Sequence, residues 1–178
     1  MTDDQKDQKT IELSRAISLL NATIESTADG ILVVDNQGKI VSFNQNFVKM
    51  WRIPREIIDS RDDNRALAFV LDQLKDPQGF LKKVKELYSR LEAESFDVLQ
   101  FKDGRIFERY SKPQKIENQT VGRVWSFRDV TKSRQTEESL KEKIAEFEKT
   151  LNMMVGRELK MTSLKEEIEK LKAELAKK

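Results

Sequence analysis

The feature that most constrains the fold is an abrupt change of pattern near residue 131. Residues 120–130 are a run of β-forming residues, whereas the chain from Ser133 onward contains no proline and a single glycine, Gly156. A helix of about 45 residues would extend about 65–70 Å at 1.5 Å per residue. Because one small domain cannot cover a helix of that length, the sequence predicts a compact β-containing domain whose last strand leads into a long helix with its own partner.

The apolar residues of this long helix recur at alternating spacings of four and three, which is typical of a coiled coil. They form two seams: Leu140, Ile144, Phe147, Leu151 and Met154, then Met161, Leu164, Ile168, Leu171 and Leu175. Met161 follows Leu151 by ten positions, which is one heptad plus three residues. This spacing breaks the heptad phase and is the signature of a stammer. We predict a parallel homodimer. Two interpretations of the phase break stay open: it is an accidental bend, or it allows two helix packings of nearly equal free energy.

The N-terminal segment carries a similar but shorter seam. Residues 1–10 are polar, so we expect them to be frayed, and the apolar residues then fall at Leu13, Ile17, Leu20 and Ile24. This 4-3-4 spacing predicts an amphipathic helix within residues 1–28 that caps the domain or dimerises. We expect it to end near Asp29-Gly30.

The central segment predicts five strands with helices between the second and the third. The β-rich runs are residues 31–35, 39–43, 95–102, 105–112 and 120–130, with turns at Asn36-Gln37-Gly38, Asp103-Gly104 and Glu117-Asn118-Gln119. Short helical pieces fill residues 44–74, and a better helix starts at Pro77. This order indicates an α+β antiparallel sheet.

The last predicted strand has apolar side chains on both of its faces. Val124 and Val130 point to one face, and Trp125 and Phe127 point to the other. A strand of this kind is covered on both sides. We expect the N-terminal amphipathic helix to supply the second cover.

These segments, taken in order, resemble a PAS domain. The resemblance lies in ADGILVVDNQGKIVSFNQNFVKMW, DGRIFERYSKP and GRVWSFRDVT, and it spans about residues 15–131. It implies a PAS fold over residues 29–131, with a five-stranded antiparallel sheet in the order 2-1-5-4-3, helices on one face, and a coiled-coil signalling helix over residues 132–178.

The resemblance also implies a function. PAS domains are sensory and dimerising modules, most often found in histidine kinases, diguanylate cyclases and transcription regulators. Their last strand typically ends in an Asp-x-Thr motif, here Asp129 and Thr131, that connects the sheet to the output helix. Both side chains also carry acceptor atoms suited to a helix start, where N–H groups lack partners, so capping and signalling are compatible roles.

A PAS domain can hold a ligand between its sheet and its helices. The candidate lining residues are Trp51, Phe69, Leu87, Phe107 and Trp125, although such residues are also ordinary core. The chain contains no histidine and no cysteine, which excludes His-ligated haem and Cys-adduct flavin. We predict no cofactor, while a small-molecule ligand or non-covalent flavin stays open. Three arginines, Arg109, Arg123 and Arg128, are candidates for an anion site, or else are solvated or paired with carboxylates.

Composition narrows the class of protein further. The 33 Lys and Arg and 31 Asp and Glu residues are interspersed, with a net charge of +2, which argues against a nucleic-acid groove. No apolar run approaches the roughly 20 residues of a membrane span, so we expect a soluble, cytoplasmic protein. Without a phosphoacceptor histidine or an ATP-binding motif, we expect no enzyme in this chain.

The sequence therefore predicts a sensory and dimerisation module, cut from a longer sensor histidine kinase with a downstream effector domain. Two alternatives stay open. One is a dimerisation scaffold that senses nothing, and the other is the regulatory domain of a diguanylate cyclase or a transcription regulator.

Overall fold

The computed structural model describes residues 3–175 and divides the chain into two compact units, with the boundary after Thr131. The helices are α1 (Asp3–Glu25), α2 (Gln45–Trp51), α3 (Arg55–Asp59), α4 (Asp63–Leu71), α5 (Pro77–Ser89) and α6 (Thr131–Leu175). The strands are β1 (Gly30–Asp35), β2 (Ile40–Phe43), β3 (Ser95–Gln100), β4 (Ile106–Ile116) and β5 (Gln119–Asp129). Helix α6 apart, all of these elements belong to the first unit.

The strands form one sheet in the order β2-β1-β5-β4-β3, and all neighbouring strands are antiparallel. This confirms the predicted fold class and strand order. The β4–β5 hairpin is longer than predicted, because its turn consists of two residues with positive φ, Glu117 (48°) and Asn118 (66°). A two-residue turn of this kind matches the twist of the flanking strands, so Gln119 begins β5 instead of extending the turn.

The core lies between one face of the sheet and helices α2–α5. Trp51, at the end of α2, is at its centre, with ring centroids of Phe101, Phe107 and Phe127 at 5.1, 5.9 and 5.2 Å. Helix α5 contributes an apolar stripe at helical spacing, and its buried members are Phe80, Val84 and Leu87. Burial of this apolar surface is the main stabilising term of the domain.

The opposite face of the sheet contradicts the prediction that α1 covers it. Helix α1 exposes Leu13, Ile17 and Leu20, while Phe96 and Val98 are exposed on the sheet. Helix α1 also begins at Asp3, so the expectation of frayed residues is wrong from residue 3 onward. Within one chain the outer side of β3 and the apolar residues of α1 from Leu13 to Leu20 lack a cover, whereas Val33 of β1 on the same sheet face is buried.

Helix α6 is a single helix that continues through Gly156 without interruption. The apolar seam residues from Leu140 to Ile168 are all exposed. The side chains of Leu171 and Leu175 lie outside the described part of the chain. The coiled coil itself stays a prediction, since a single helix cannot test it.

Candidate functional site at the start of helix α6

The candidate site is the corner where β5 ends and α6 begins. The Asp129 carboxylate accepts hydrogen bonds from the Thr131 backbone N–H (2.9 Å) and from the Thr131 hydroxyl (2.5 Å). The same hydroxyl accepts a hydrogen bond from the backbone N–H of Ile106 on β4 (2.9 Å). Thr131 therefore links the first residue of α6 to two strands of the sheet.

The local sequence explains this geometry. An aspartate side chain can accept a hydrogen bond from the backbone N–H two residues later and so close a short turn. Asp129 and Thr131 form such a turn, which ends β5 without glycine or proline. The carboxylate also lies beside the N-terminus of α6, where the helix dipole favours negative charge. The two predicted residues, Asp129 and Thr131, are thus brought together in one hydrogen-bonded unit.

A second link joins the start of β1 to the end of β5. The Arg128 guanidinium donates two hydrogen bonds to the Asp29 carboxylate, from Nε (2.9 Å) and Nη2 (3.0 Å). The Ser126 hydroxyl donates a third hydrogen bond (3.0 Å). The hydrogen bonds from Arg128 lower the pKa of Asp29 below its usual 3.8 despite partial burial. The segment before β1 is therefore tied to the residue that precedes Asp129.

Asn44, at the start of α2, is completely buried and joins α1 to the sheet. Its amide nitrogen donates hydrogen bonds to the backbone oxygens of Ile24 (3.2 Å) and Asp29 (2.8 Å). Its amide oxygen accepts from the backbone N–H groups of Ile31 (2.8 Å) and Phe47 (2.9 Å). One side chain thus satisfies groups at the end of α1, in the linker, in β1 and in α2.

The close packing at this corner requires glycine at the start of β1. A Cβ atom added at Gly30 would lie 2.9 Å from the Cα atom of Phe47, which is closer than carbon atoms pack. The Phe47 ring in turn contacts Phe127 of β5, with a centroid distance of 5.6 Å. Helix α2 is therefore held against both β1 and β5 at the corner.

The predicted ligand pocket is largely filled by side chains. The structure places Trp51 and Phe107 in direct ring contact, buries Leu87 beside them in the core, and leaves Phe69 at its half-buried rim. A cavity of about 30 Å³ remains beside the core. Its lining includes Trp125, alone among the five predicted residues, together with Leu32, Asp63, Leu67, Phe80, Val84, Tyr88, Arg109 and Phe127.

The cavity has a polar side that sequence reasoning missed. The Tyr88 hydroxyl donates a hydrogen bond to the Asp63 carboxylate (2.5 Å), and burial raises the pKa of Asp63. Burial also raises the pKa of Tyr88. Arg109 pairs with Asp97 through Nε (2.8 Å) and Nη2, while its buried Nη1 has no hydrogen-bond partner among the described residues.

The three candidate arginines of the anion site do not converge. Arg109 and Arg123 are buried, which contradicts the alternative that they are solvated, and Arg128 forms the ion pair with Asp29. Arg123 donates hydrogen bonds to backbone oxygens at the end of α5, including those of Leu87 (3.0 Å) and Arg90 (3.1 Å). Cationic groups near a helix C-terminus satisfy free carbonyl groups there, so Arg123 closes helix α5.

The sheet order and the helices packed over one face define a small α+β domain. A family profile described as PAS fold matches residues 24–138, which is more than half of the 178 residues. The chain belongs to the PAS family. PAS domains are regulatory rather than catalytic. A comparison with curated proteins finds no significant match.

Solved structures share the fold at low sequence identity. The PAS domain of Bordetella pertussis BvgS has a TM-score of 0.50 and 16% identity, over 72% of this chain and 98% of that one. A Rhodobacter sphaeroides LOV protein has a TM-score of 0.50 and 14% identity, over 71% of this chain and 73% of that one. The sensor region of a sensor histidine kinase has a TM-score of 0.48 and 15% identity; the match covers 60% of this chain but only 41% of the kinase chain.

Among residues 3–175, no helix is both long and apolar enough to pass through a lipid bilayer. In the same part of the chain, no group of three or more acidic residues is arranged to hold a metal ion.

Proposed function

We propose that this PAS domain is the sensory and dimerisation module of a signal-transduction protein. A change in the sheet passes through Asp129 and Thr131 into α6, and α6 pairs with a second copy as a parallel coiled coil. The observation that carries this proposal is the Thr131 hydroxyl, which bonds to Asp129 of β5 and to Ile106 of β4. A rearrangement of either strand therefore acts on the first residue of α6.

The exposed seam of α6 supports the dimer. A 45-residue helix with apolar residues at 4-3 spacing is stabilised mainly by packing against other helices rather than by its own propensity. A parallel pair places the same seam residues of both copies against each other. Light scattering is expected to give twice the 20.8 kDa of one chain, and a monomer would contradict this part of the proposal.

We assign the effector to a histidine kinase located in a longer parent protein. Support comes from the sensor histidine kinase among the similar structures, of which this chain spans 41%. A diguanylate cyclase or a transcription regulator remains the alternative effector. In each case this chain contributes regulation, and the catalytic residues lie elsewhere.

Substitution of Thr131 tests the route of the signal. In a fusion of this chain to a histidine kinase catalytic region, Thr131→Val removes the hydroxyl from the junction and is expected to change autophosphorylation severalfold. Thr136→Val is the matched control, because the Thr136 hydroxyl bonds only within α6, to the Lys132 backbone oxygen (2.8 Å). Equal activity of the Thr131 variant and the unsubstituted fusion would count against the junction as the route.

The small core cavity favours one second candidate, a PAS scaffold that dimerises without a ligand. A cavity of about 30 Å³ is close to the volume of one water molecule, whereas ligand sites measure about 300–1,000 Å³. Thermal melting with a panel of small metabolites and flavins separates the two candidates. A ligand that raises the melting temperature supports a sensor, and a shift that Trp125→Ala abolishes places that ligand in the core.

A further inference from the structure

The two edges of the sheet differ in how they are covered. On β2, the Ile40 N–H donates a hydrogen bond to the Arg61 backbone oxygen (2.9 Å), and the Arg61 guanidinium donates to the Val41 oxygen (3.3 Å). The loop before α4 therefore covers that edge. Strand β3 lies at the other edge, with β4 on its inner side. An edge strand that is left open presents backbone groups to which another chain can bind.

Alternation along β3 shows which of its backbone groups face this outer edge. The Gln100 oxygen accepts a hydrogen bond from the Lys75 N–H (2.9 Å), so Gln100 points away from β4. Residues two apart in an antiparallel strand direct their N–H and C=O groups to the same side. The groups of Phe96 and Val98 therefore also point outward, and within the described part of the chain they have no hydrogen-bond partner.

A groove of about 470 Å³ runs along this open edge. Residues 96–100 of β3 form one wall, and the start of α5, with Gly79 and Lys83, forms the other. An extended segment of five residues is about 17 Å long, the same length as the β3 wall. A groove between an edge strand and a helix suits a peptide that adds to the sheet as a strand. We call this surface the β3 edge groove.

The two carboxylates in the lining of the groove are already engaged. Asp97 forms an ion pair with Arg109. The Asp76 side chain accepts a hydrogen bond from the Gly79 N–H (2.8 Å) at the N-terminus of α5. Neither carboxylate is therefore free to neutralise the other cations of the groove.

Those other cations are Lys75 and Lys83, and they favour an acidic occupant. Both line the β3 edge groove. Lys83 lies 3.7 Å from Glu86, and both side chains of this pair are more than a third exposed. An exposed ion pair of this kind contributes little free energy, so Lys83 can exchange Glu86 for a carboxylate of a partner.

We propose that an extended acidic segment of another protein adds to β3 as a sixth strand. Its backbone bonds to the outward groups of Phe96 and Val98, because strand addition takes its affinity from main-chain hydrogen bonds. Side chains at alternate positions lie in the groove, where carboxylates meet Lys75 and Lys83. The inference does not depend on the α6 pair or on the junction at Thr131.

A second copy of this chain fits the edge less well. Two antiparallel β3 strands are related by a two-fold axis, and an axis perpendicular to the sheet keeps both α5 helices on the same side. Lys75 and Lys83 of the two copies then share one groove. Like charges across a strand pair are destabilising, so the charge of the groove favours a different, acidic chain.

An NMR titration of the isotope-labelled full chain tests the site. The probe is the peptide acetyl-Thr-Glu-Val-Glu-Thr-amide, which alternates β-forming residues with two carboxylates. We expect saturable shifts of the backbone amide signals of Phe96, Val98 and Gly79. The matched peptide with Lys in place of Glu is expected to leave these signals unchanged. An acidic peptide that shifts none of them at millimolar concentration would overturn the inference.

Proline at position 98 tests the main-chain contact. Val98→Pro removes an outward N–H and leaves the groups that face β4, and proline is accepted at edges whose N–H faces solvent. Loss of this hydrogen bond is expected to raise the peptide dissociation constant about tenfold. Val98→Thr keeps the N–H and is expected to stay within twofold. Unchanged binding by the proline variant would show that the peptide does not add to β3.

A second measurement keeps this test decisive if Val98→Pro does not fold, which circular dichroism reveals. The acidic peptide is then N-methylated on alternate residues, in the two possible phases, and titrated into the unsubstituted chain. Methylation in one phase is expected to abolish binding and in the other to leave it. Equal binding of both peptides would contradict strand addition.

Charge reversal tests the choice of partner. Lys75→Glu with Lys83→Glu is expected to lose the acidic peptide and to bind the lysine peptide instead. Lys82→Glu with Lys85→Glu is the control, because it makes the same change of charge on α5 outside the lining of the groove. A groove variant that still prefers the acidic peptide would overturn the inference.

Dilution separates the proposed partner from a second copy. Without peptide, the signals of Phe96 and Val98 are expected to stay constant as the protein concentration changes. Shifts that depend on protein concentration would place a second copy at the β3 edge and reject the acidic partner. Leu151→Lys weakens only the α6 seam, so peptide binding by that variant is expected to be unchanged even where the proposed coiled coil fails.

Discussion

Trp51 and Leu151 are both large apolar residues in helices, yet the structure buries one and exposes the other. Trp51 is 1% exposed at the centre of the sheet domain, whereas Leu151 is 59% exposed on α6. Helices α2–α5 cover the core of the sheet domain, whereas the α6 seam is exposed within the chain. We therefore expect the sheet domain to be stable alone and α6 to depend on association with a second helix.

Truncation of Trp51 is expected to have the largest effect on the sheet domain. Trp51→Ala removes a buried ring with four aromatic neighbours, and such changes cost about 3–5 kcal/mol of unfolding free energy. Urea denaturation followed by circular dichroism measures this loss. A loss below about 1 kcal/mol would show that the core does not carry the stability of the domain.

Loss of the Asn44 side chain is expected to come second. Asn44→Ala removes hydrogen bonds to four backbone groups, of which the Ile24 and Asp29 oxygens keep the Thr27 hydroxyl as a donor. The loss therefore falls mainly on the Ile31 and Phe47 N–H groups, and unsatisfied buried groups cost about 1–3 kcal/mol. We expect a loss of about 2–3 kcal/mol by urea denaturation. Asn46→Ala is the control, because Asn46 makes one hydrogen bond to Thr27 and its loss is expected to cost about 1 kcal/mol or less.

Replacement of Gly156 changes α6 without changing the sheet domain, so it separates the stability of the two units. Gly156→Ala is expected to stabilise the helix by about 1 kcal/mol, because glycine is the poorer helix former and a Cβ atom there meets no neighbour within 4 Å. Thermal unfolding followed at 222 nm is expected to show a later helix transition and an unchanged sheet-domain transition. A shift of both transitions together would mean that the two units unfold as one.

The Asp29–Arg128 pair is expected to have the smallest effect, and it depends on pH. Because the pKa of Asp29 is lowered in the folded protein, its stabilisation is complete above the unfolded value of 3.8 and is lost as the pH falls through the folded value. Asp29→Asn is expected to reduce stability slightly at pH 7 and to remove this acid dependence. Urea midpoints at several pH values measure both.

Asp63→Asn provides a control of opposite sign. Burial raises the pKa of Asp63, so its contribution to stability decreases as the pH rises from 3.8 through the folded value. Removal of the carboxyl group is expected to abolish that decrease. An Asp29 variant with an unchanged pH profile would show that the pair with Arg128 does not persist in solution.

Much of the fold could be predicted, because strands and helices leave periodic patterns. The five strands, the Pro77 helix and the long α6 followed from alternation and spacing, and the sheet order followed from the resemblance. What covers the outer face of the sheet could not be predicted. The spacing of apolar residues shows that α1 has an apolar side, but it does not show which surface that side contacts. The length of the β4–β5 hairpin depended on positive φ at Glu117 and Asn118, which composition only suggests.

The site was predictable in part. Asp129 and Thr131 were found because their spacing at a strand end carries the motif. The roles of Asn44 and Asp29 were not, although both belong to the segments that carry the resemblance, because their partners lie far along the chain. Arg109 and Arg123 look like solvated residues by charge alone. Their burial depends on Asp97 and on the carbonyl groups at the end of α5, which become neighbours only in the folded sheet.

The proposed parallel pairing of two α6 helices can be measured directly as a distance between two chains. Spin labels on cysteine, introduced one at a time as Glu138→Cys and Lys165→Cys, measure the distance between identical positions of two chains. A parallel pair is expected to give one short distance at both positions, about 20–35 Å for two labelled helices about 10 Å apart. Absence of any inter-chain distance, or a short distance at one position with a long one at the other, would contradict it.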